Sequence, residues 1–335
     1  MKKAVSHLRN DRGTALLIVM LQIAAVSVIA LGIVQQVRVS LQTSAVSAAR
    51  GQAIWFVLGA EDFAAAKLGE AMVLTEGKIN TSTPGLNIPI TFQIGEGKLV
   101  AKFQDQTNCF NLNSLAQTDE ADEETEALGR IDAAQFYEHL LQALDFDPTT
   151  AQMLRASLQD WIDADNQPRL SGAETSYYAT LETPYAAANT MLATPTELRA
   201  IRGYTADVYK RIQPHVCVRP DMNIGPFNIN TLTPEDYPLV APLFSGEIEP
   251  EIVAQELENY SGEIFDDAAG FLASPAFSLI QPEKTLDTLI DIQSTHFRLT
   301  GEVVYLDTVT SYEAVFAVDT SGEARLLRRR FGVDE

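Results

Sequence analysis

The sequence predicts an α+β fold: a long N-terminal helix packed on a small antiparallel sheet, with a large all-α domain inserted between its strands. Three observations predict it. An uncharged apolar stretch, Thr14 to Val37, is followed by a proline-free, alanine-dense stretch from Arg38 to about Leu74. Short β-prone runs flank the middle of the chain, at 90–103 and again at 297–331. Between them, residues 106–291 carry helix-start signals and little strand alternation.

The first element reads TALLIVMLQIAAVSVIALGIVQQV. At 1.5 Å per residue it is long enough to cross a hydrocarbon core of about 30 Å. Lys2, Lys3, Arg9 and Arg12 precede it against one acid, Asp11. The excess of cations keeps the N-terminus cytoplasmic and sends the bulk of the chain across the membrane. A cleaved secretory signal fits less well, because its apolar region spans about 7–15 residues. The small-residue run Ala45–Ala48 also lies too far beyond the apolar stretch to serve as its cleavage site. A plain signal anchor remains an alternative. Beyond the membrane, Phe56, Ala60 and Phe63 recur at helical spacing, which predicts one apolar stripe on a continuing helix.

After Gly77 the pattern changes to strand. Ile90–Ile94 and Leu99–Phe103, separated by Gly95-Glu96-Gly97, predict a hairpin. Phe297–Leu306, Tyr312–Val318 and Ala324–Phe331 predict three further strands, with Asp319–Gly322 as the last turn. In the middle, Asp147-Pro148, Thr194-Pro195 and Thr233-Pro234 each place a capping residue before a proline at the first helical position. Thr194 and Glu197 also form a capping-box pattern. One hexapeptide echoes itself: Phe110-Asn111-Leu112-Asn113-Ser114-Leu115 recurs as Phe227-Asn228-Ile229-Asn230-Thr231-Leu232. These copies are similar to helix-hairpin-helix modules that grip DNA. A structural role is the better account, because Asn, Ser and Thr side chains satisfy backbone amides where a turn enters a helix. The expected division is leader 1–13, transmembrane helix 14–37, continuing helix and first strands 38–105, inserted α-domain 106–291, and C-terminal strands 292–335.

The formal net charge of -21 over 335 residues argues against nucleic acid, whose phosphates such a surface repels. Chemistry-bearing motifs are scarce. The four histidines, His7, His139, His215 and His296, are scattered, and HExxH, GxSxG and phosphate-binding loops are missing. The chain is therefore expected not to be an enzyme. Two cysteines, Cys109 and Cys217, fit no zinc spacing; export to an oxidising compartment would favour one disulfide. The strongest ligand candidate is the stretch from Asp163 to Glu174, with Asp163, Asp165 and Glu174 at positions 1, 3 and 12, as in a calcium-binding EF-hand loop. It departs from that loop at Gln167, where Asp or Asn is usual, and at Pro168, where Gly is usual. A calcium loop of another shape, or an acidic surface loop, are the readings left open.

Several of these features converge. A short basic leader ending at Gly13, with the apolar helix opening at Thr14, resembles the type IV pilin-like signal that prepilin peptidase cuts after the Gly. The stretch DWIDADNQPRLSGAETSYY, ELRAIRGY, the PHVC segment ending at Cys217 and NINTL resemble the protein K family, the large minor pseudopilins of bacterial type II secretion systems. The similarity spans essentially the whole chain.

The resemblance implies a pilin-like domain with an inserted α-domain, anchored once in the bacterial inner membrane with its bulk in the periplasm. It implies cleavage between Gly13 and Thr14, N-methylation, and a place at the tip of a pseudopilus beside minor pseudopilins I and J and near H, built on an inner-membrane assembly platform. It also implies a Cys109–Cys217 disulfide and calcium held by Asp163, Asp165 and Glu174. Ile18 stands at the fifth mature position, where such proteins usually carry a Glu that neutralises a neighbour's N-terminal ammonium; its absence favours a filament end. Two alternatives accompany this expectation: a minor pilin of a type IV pilus, and a membrane-anchored periplasmic hydrolase using the acidic cluster.

Overall fold

The computed structural model describes residues 11–83, 85–116, 132–278, 286, 289–306 and 308–332. Most of the predicted leader therefore lies outside the described residues.

Helix α1 (Asp11–Thr75) runs unbroken for 65 residues, about 100 Å at the standard rise. Strands β1 (Ile90–Ile94) and β2 (Gly97–Asp105) form the expected hairpin. After β2 come the two-residue strand β3 (Phe110–Asn111), a 3-10 turn at Leu112–Ala116, and helices α2 (Ala133–Ala143), α3 (Pro148–Ile162) and α4 (Thr175–Tyr178). Helix α5 (Ala206–Ile212), β4 (Val216–Cys217), β5 (Phe227–Asn228), α6 (Tyr237–Val240), α7 (Pro250–Asn259) and α8 (Ala268–Leu272) follow. The chain closes with β6 (Ile290–Asp291), β7 (His296–Tyr305), β8 (Thr308–Val318) and β9 (Ala324–Phe331).

The five long strands form one sheet in the order β1-β2-β7-β8-β9, with every neighbouring pair antiparallel. The β2–β7 pairing, from Lys98 opposite Val304 to Asp105 opposite Phe297, joins the two ends of the chain. Everything between those strands loops out and returns. Two clusters of buried apolar side chains result. One unites α1 with the inward sheet face, through Val57, Leu68, Met72, Leu99, Phe297, Leu299, Tyr312, Ala314 and Phe316. The other spans residues 110–290, built on Phe110, Phe136, Tyr137, Leu154, Leu158, Phe227, Phe244 and Phe271.

The intervening segment is less regular than the all-α domain expected, with 3-10 turns and two-residue strands among its helices. Asp147 caps α3 as predicted, accepting a hydrogen bond from Thr150 N at 3.0 Å. Thr194 and Thr233 do form capping boxes, but they open 3-10 turns at Pro195–Ala200 and Pro234–Asp236 rather than α-helices. Capping is a local signal; how far the helix then propagates depends on the surface it finds to pack against.

The repeated hexapeptide has a structural job, and the same one in both copies. Each Phe-Asn pair forms a two-residue strand, β3 paired in parallel with β4 and β5 with β6. Asn111 Oδ1 then accepts from Asn113 N, as Asn228 Oδ1 does from Asn230 N. The second asparagine of each copy clamps a distant segment. Asn113 bonds Leu192 through both its amide groups and donates to Arg219 O; Asn230 bonds Phe265 the same way. Buried backbone groups that would otherwise lack partners are satisfied by these side chains.

Candidate functional site

Two features position the chemistry of this molecule: the division of α1 into a bare half and a packed half, and a carboxylate cluster after α3.

From Thr14 to Ala48 every residue of α1 is exposed in the isolated chain, including Leu16, Leu21, Val28 and Leu31 at more than 60%. A helix this apolar and this bare is long enough to cross a membrane. Gly13, Thr14 and Ile18 all fall inside α1, with Ile18 57% exposed. From Ala49 onward one stripe is buried: Ala49, Ala53, Val57, Ala60, Ala64, Leu68 and Met72. Ala60 is the member of the predicted stripe that belongs to it; Phe63 is half exposed, and Phe56 only partly buried. Small side chains bring the helix axis close to the sheet, which leaves the bulky rings at the flanks. Phe56 meets Tyr305 and Phe63 meets Phe92 edge to face, at centroid distances of 5.3 and 5.6 Å.

Two contacts fix the angle of the helix on the sheet. Glu61, 3% exposed, takes Arg329 Nε of β9 on both carboxylate oxygens at 2.8 Å. Further along, Gly69 lies against Gly322 of the β8–β9 turn, so closely that a Cβ on Gly69 would sit 2.2 Å from Gly322 O.

The cluster forms where α3 ends. Asp160 and Glu174 are buried and Asp163 is half-buried, and one carboxylate oxygen from each lies within 4.8 Å of the others. Thus two of the three sequence candidates, Asp163 and Glu174, come together. The third does not join them: Asp165 is exposed and its carboxylate accepts from Gln167 N at 2.7 Å. Its place is taken by Asp160, one helical turn before Asp163. Gly172 makes room for it, since a Cβ there would lie 2.1 Å from Asp160 Oδ2.

Arg169 bridges two members of the cluster, donating to Asp160 Oδ1 at 3.1 Å and to Asp163 Oδ2. Glu174 has no such cation among the described residues. Burial, and then the negative charges of Asp163, Asp160 and Asp165, raise its pKa to about 7, although the backbone N–H of Thr175 opposes this. Burial likewise raises Asp160, against the opposing pull of Arg169. Three oxygens in this neighbourhood are buried with no hydrogen-bond partner: Asp163 Oδ1, Glu174 Oε1 and Asn189 Oδ1. Hard oxygens, excess negative charge and unmet acceptors are what a calcium ion satisfies, so Asp160, Asp163 and Glu174 fit such an ion as donors.

The disulfide expected from the resemblance is present. Cys109 and Cys217 are bonded with their Cα atoms 5.6 Å apart, 108 residues apart in sequence.

Three comparisons bear on this architecture. A family model described as type II secretion system (T2SS), protein K, matches residues 108–221. The type II secretion system protein K of Klebsiella pneumoniae is 33% identical over 267 residues, covering 80% of each chain. That of Aeromonas hydrophila is 28% identical, over 97% of this chain and 98% of its own. Among solved structures, a chain of the GspK-GspI-GspJ complex from the enterotoxigenic Escherichia coli type 2 secretion system superposes with a TM-score of 0.72 at 26% identity. The match covers 84% of this chain and 96% of that one.

Proposed function

This chain belongs to the protein K family of type II secretion systems, and from that premise we propose that it is a minor pseudopilin at the tip of a periplasmic pseudopilus, where it initiates or caps assembly. It is an assembly component rather than an enzyme. The observation that carries this is the split of α1. Its first part has an apolar surface that water disfavours and that only lipid or neighbouring helices can cover. Its second part is locked to the sheet by the alanine stripe and by Glu61–Arg329. A rigid rod with one bare end is what a helical filament core stacks. The related structure unites GspK with GspI and GspJ, so minor pseudopilins I and J are the proposed neighbours along that bare end.

On this proposal the chain is made with its N-terminus in the cytoplasm and its bulk in the periplasm. Prepilin peptidase cuts between Gly13 and Thr14, and the bare helix passes from the inner membrane into the filament on the assembly platform. With Ile18 in the mature helix, the subunit brings no carboxylate to a neighbour's N-terminal ammonium. That favours an end position, because an unneutralised charge in an apolar core is costly. Calcium held by Asp160, Asp163 and Glu174 would neutralise the cluster and tie the end of α3 to the loop that returns to α4. Asp160 and Glu174 are at most 1% exposed, a degree of cover that suits an ion better than a hydrolase substrate.

Intact-mass measurement of the membrane-extracted protein, with N-terminal sequencing, tests the proposal. A chain beginning at Thr14 is expected. One beginning at Met1 is an ordinary signal anchor, and one beginning after the apolar stretch is a secreted protein; either would overturn it. Ile18→Glu is expected to let the subunit enter the filament away from its tip, as seen by cross-links that are no longer confined to I and J.

A further inference from the structure

We infer that the cleft between β9 and the segments 192–195 and 217–220 binds an extended acidic segment of a partner protein. The inference stands apart from where in a filament the subunit sits.

Charge distribution comes first. The chain carries a formal net charge of -21, yet β9 places four arginines within six residues: Arg325, Arg328, Arg329 and Arg330. Two have carboxylate partners, Arg329 with Glu61 and Arg328 with Glu313, which also lies 3.7 Å from Arg298. Arg325 and Arg330 are exposed and make no ion pair among the described residues. Across the cleft stands Arg219, 4% exposed and likewise without an ion pair. Its Nη2 donates to the carbonyls of Gln106 and Thr107 at 3.3 and 2.7 Å, while its buried Nε has no partner. A guanidinium buried without a counter-ion is expensive. Burial lowers the Arg219 pKa to about 10, against the pull of Asp221 and Asp105, and the group stays charged at neutral pH. His296 lines the same cleft. Burial and the charges of Arg219 and Arg325 bring its pKa down to about 3.

Backbone geometry adds direction. Among the described residues β9 is the last strand of its sheet and pairs with β8 alone. Its outer edge therefore presents unpaired N–H and C=O groups. Six consecutive residues, 325–330, line the cleft of about 630 Å³. Alternating side chains cannot all do so from one face, and Arg329 reaches the opposite face to meet Glu61. The strand thus offers its edge to the cleft as well as its arginines. The floor is apolar, with Leu192, Val218 and Val315.

The opposite wall is held in place before any ligand arrives. Asn113 Nδ2 donates to Leu192 O at 3.1 Å and Arg219 O at 2.8 Å, Asn111 Oδ1 accepts from Arg219 N at 3.0 Å, and the disulfide anchors Cys217. A strand edge, an apolar floor and unpaired guanidinium groups together suit a β-strand with carboxylates at alternate positions and aliphatic side chains between them. A small anion would meet the arginines alone and leave the edge and the floor unused.

The test uses the full-length protein in detergent and a fluorescein-labelled Glu-Val-Glu-Val-Glu-Val-Glu peptide, followed by fluorescence anisotropy. We expect saturable binding that weakens at least about tenfold in the double variant Arg325→Glu/Arg330→Glu, whose exposed positions leave folding intact by circular dichroism. A peptide of the same sequence with alternate backbone nitrogens methylated should bind at least about fivefold more weakly, because it cannot pair with the edge. Absence of binding, or binding that the charge reversal leaves unchanged, overturns the inference. Equal binding of the methylated peptide, or full displacement by inorganic phosphate at matched ionic strength, also overturns it, since either would mean an anion site without strand pairing.

Discussion

Replacing Glu174 with Gln should make the calcium-depleted protein more stable at neutral pH, which is unusual for a buried residue. Glu174 is 1% exposed, and its pKa rises from 4.5 to about 7. The folded state therefore holds a proton that the unfolded state has already released. Stability is unaffected below pH 4.5, falls as pH rises from there to about 7, and stays reduced above that. A shift of this size corresponds to roughly 3 kcal/mol at pH 8. Gln keeps the shape and can still accept the hydrogen bond from Thr175 N, but it carries no charge. Thermal unfolding of both proteins in a chelator, at pH 4.5 and pH 8, isolates the effect. At pH 8 the variant should melt about 6–12 °C higher, and at pH 4.5 the two should coincide. Calcium should close most of that gap. At a hundred times its dissociation constant it stabilises the parent by about 2.7 kcal/mol and the variant by much less. A variant no more stable than its parent in chelator at pH 8 would refute the desolvation argument. An equal gain from calcium in both would remove Glu174 from the ligand set.

Three other outcomes follow from the packing. Gly69→Ala should raise helix propensity by up to about 1 kcal/mol, yet destabilise overall by about 2 kcal/mol, because its Cβ would lie 2.2 Å from Gly322 O; a higher melting temperature would show that the turn moves aside. Glu61→Ala should cost about 3 kcal/mol by chemical denaturation, near the lower end for a broken buried pair since Arg329 is 33% exposed. A joint Glu61→Leu/Arg329→Leu change should cost distinctly less than Glu61→Ala, and an equal cost would argue that burial rather than the unpaired charge dominates. Removing the disulfide by Cys109→Ala/Cys217→Ala should lower stability by up to about 4–5 kcal/mol, the chain-entropy value for its 108-residue separation; a loss below 1 kcal/mol would mean the asparagine clamps already restrain that loop.

Elements whose signals are local were legible without a structure. The apolar run and the proline-free stretch after it predicted α1 to within a residue of its end at Thr75. The alternating runs predicted all five long strands, and Asp319–Gly322 predicted the last turn, where Gly322 takes a φ of +85°. Capping residues predicted where α3 starts, because a cap acts on backbone groups only two or three positions away.

What the sequence by itself determined, then, is the long helix, the five strands of the sheet, the start of α3 and the family the chain belongs to, all written in neighbouring residues. The tertiary structure decided which side chains meet. Spacing along a loop favoured Asp165 as a ligand; the end of α3 brings Asp160 instead, because a residue one turn back on a helix lies nearer in space than one two steps along an extended loop. Aromatic periodicity suggested a stripe through Phe56 and Phe63; close packing on the sheet selected the alanines. In sequence the arginines of β9 look like an ordinary charged strand. Only when β2 pairs with β7 does the intervening segment return to set Arg219 opposite them, and that pairing depends on contacts about 200 residues apart, to which local sequence is blind.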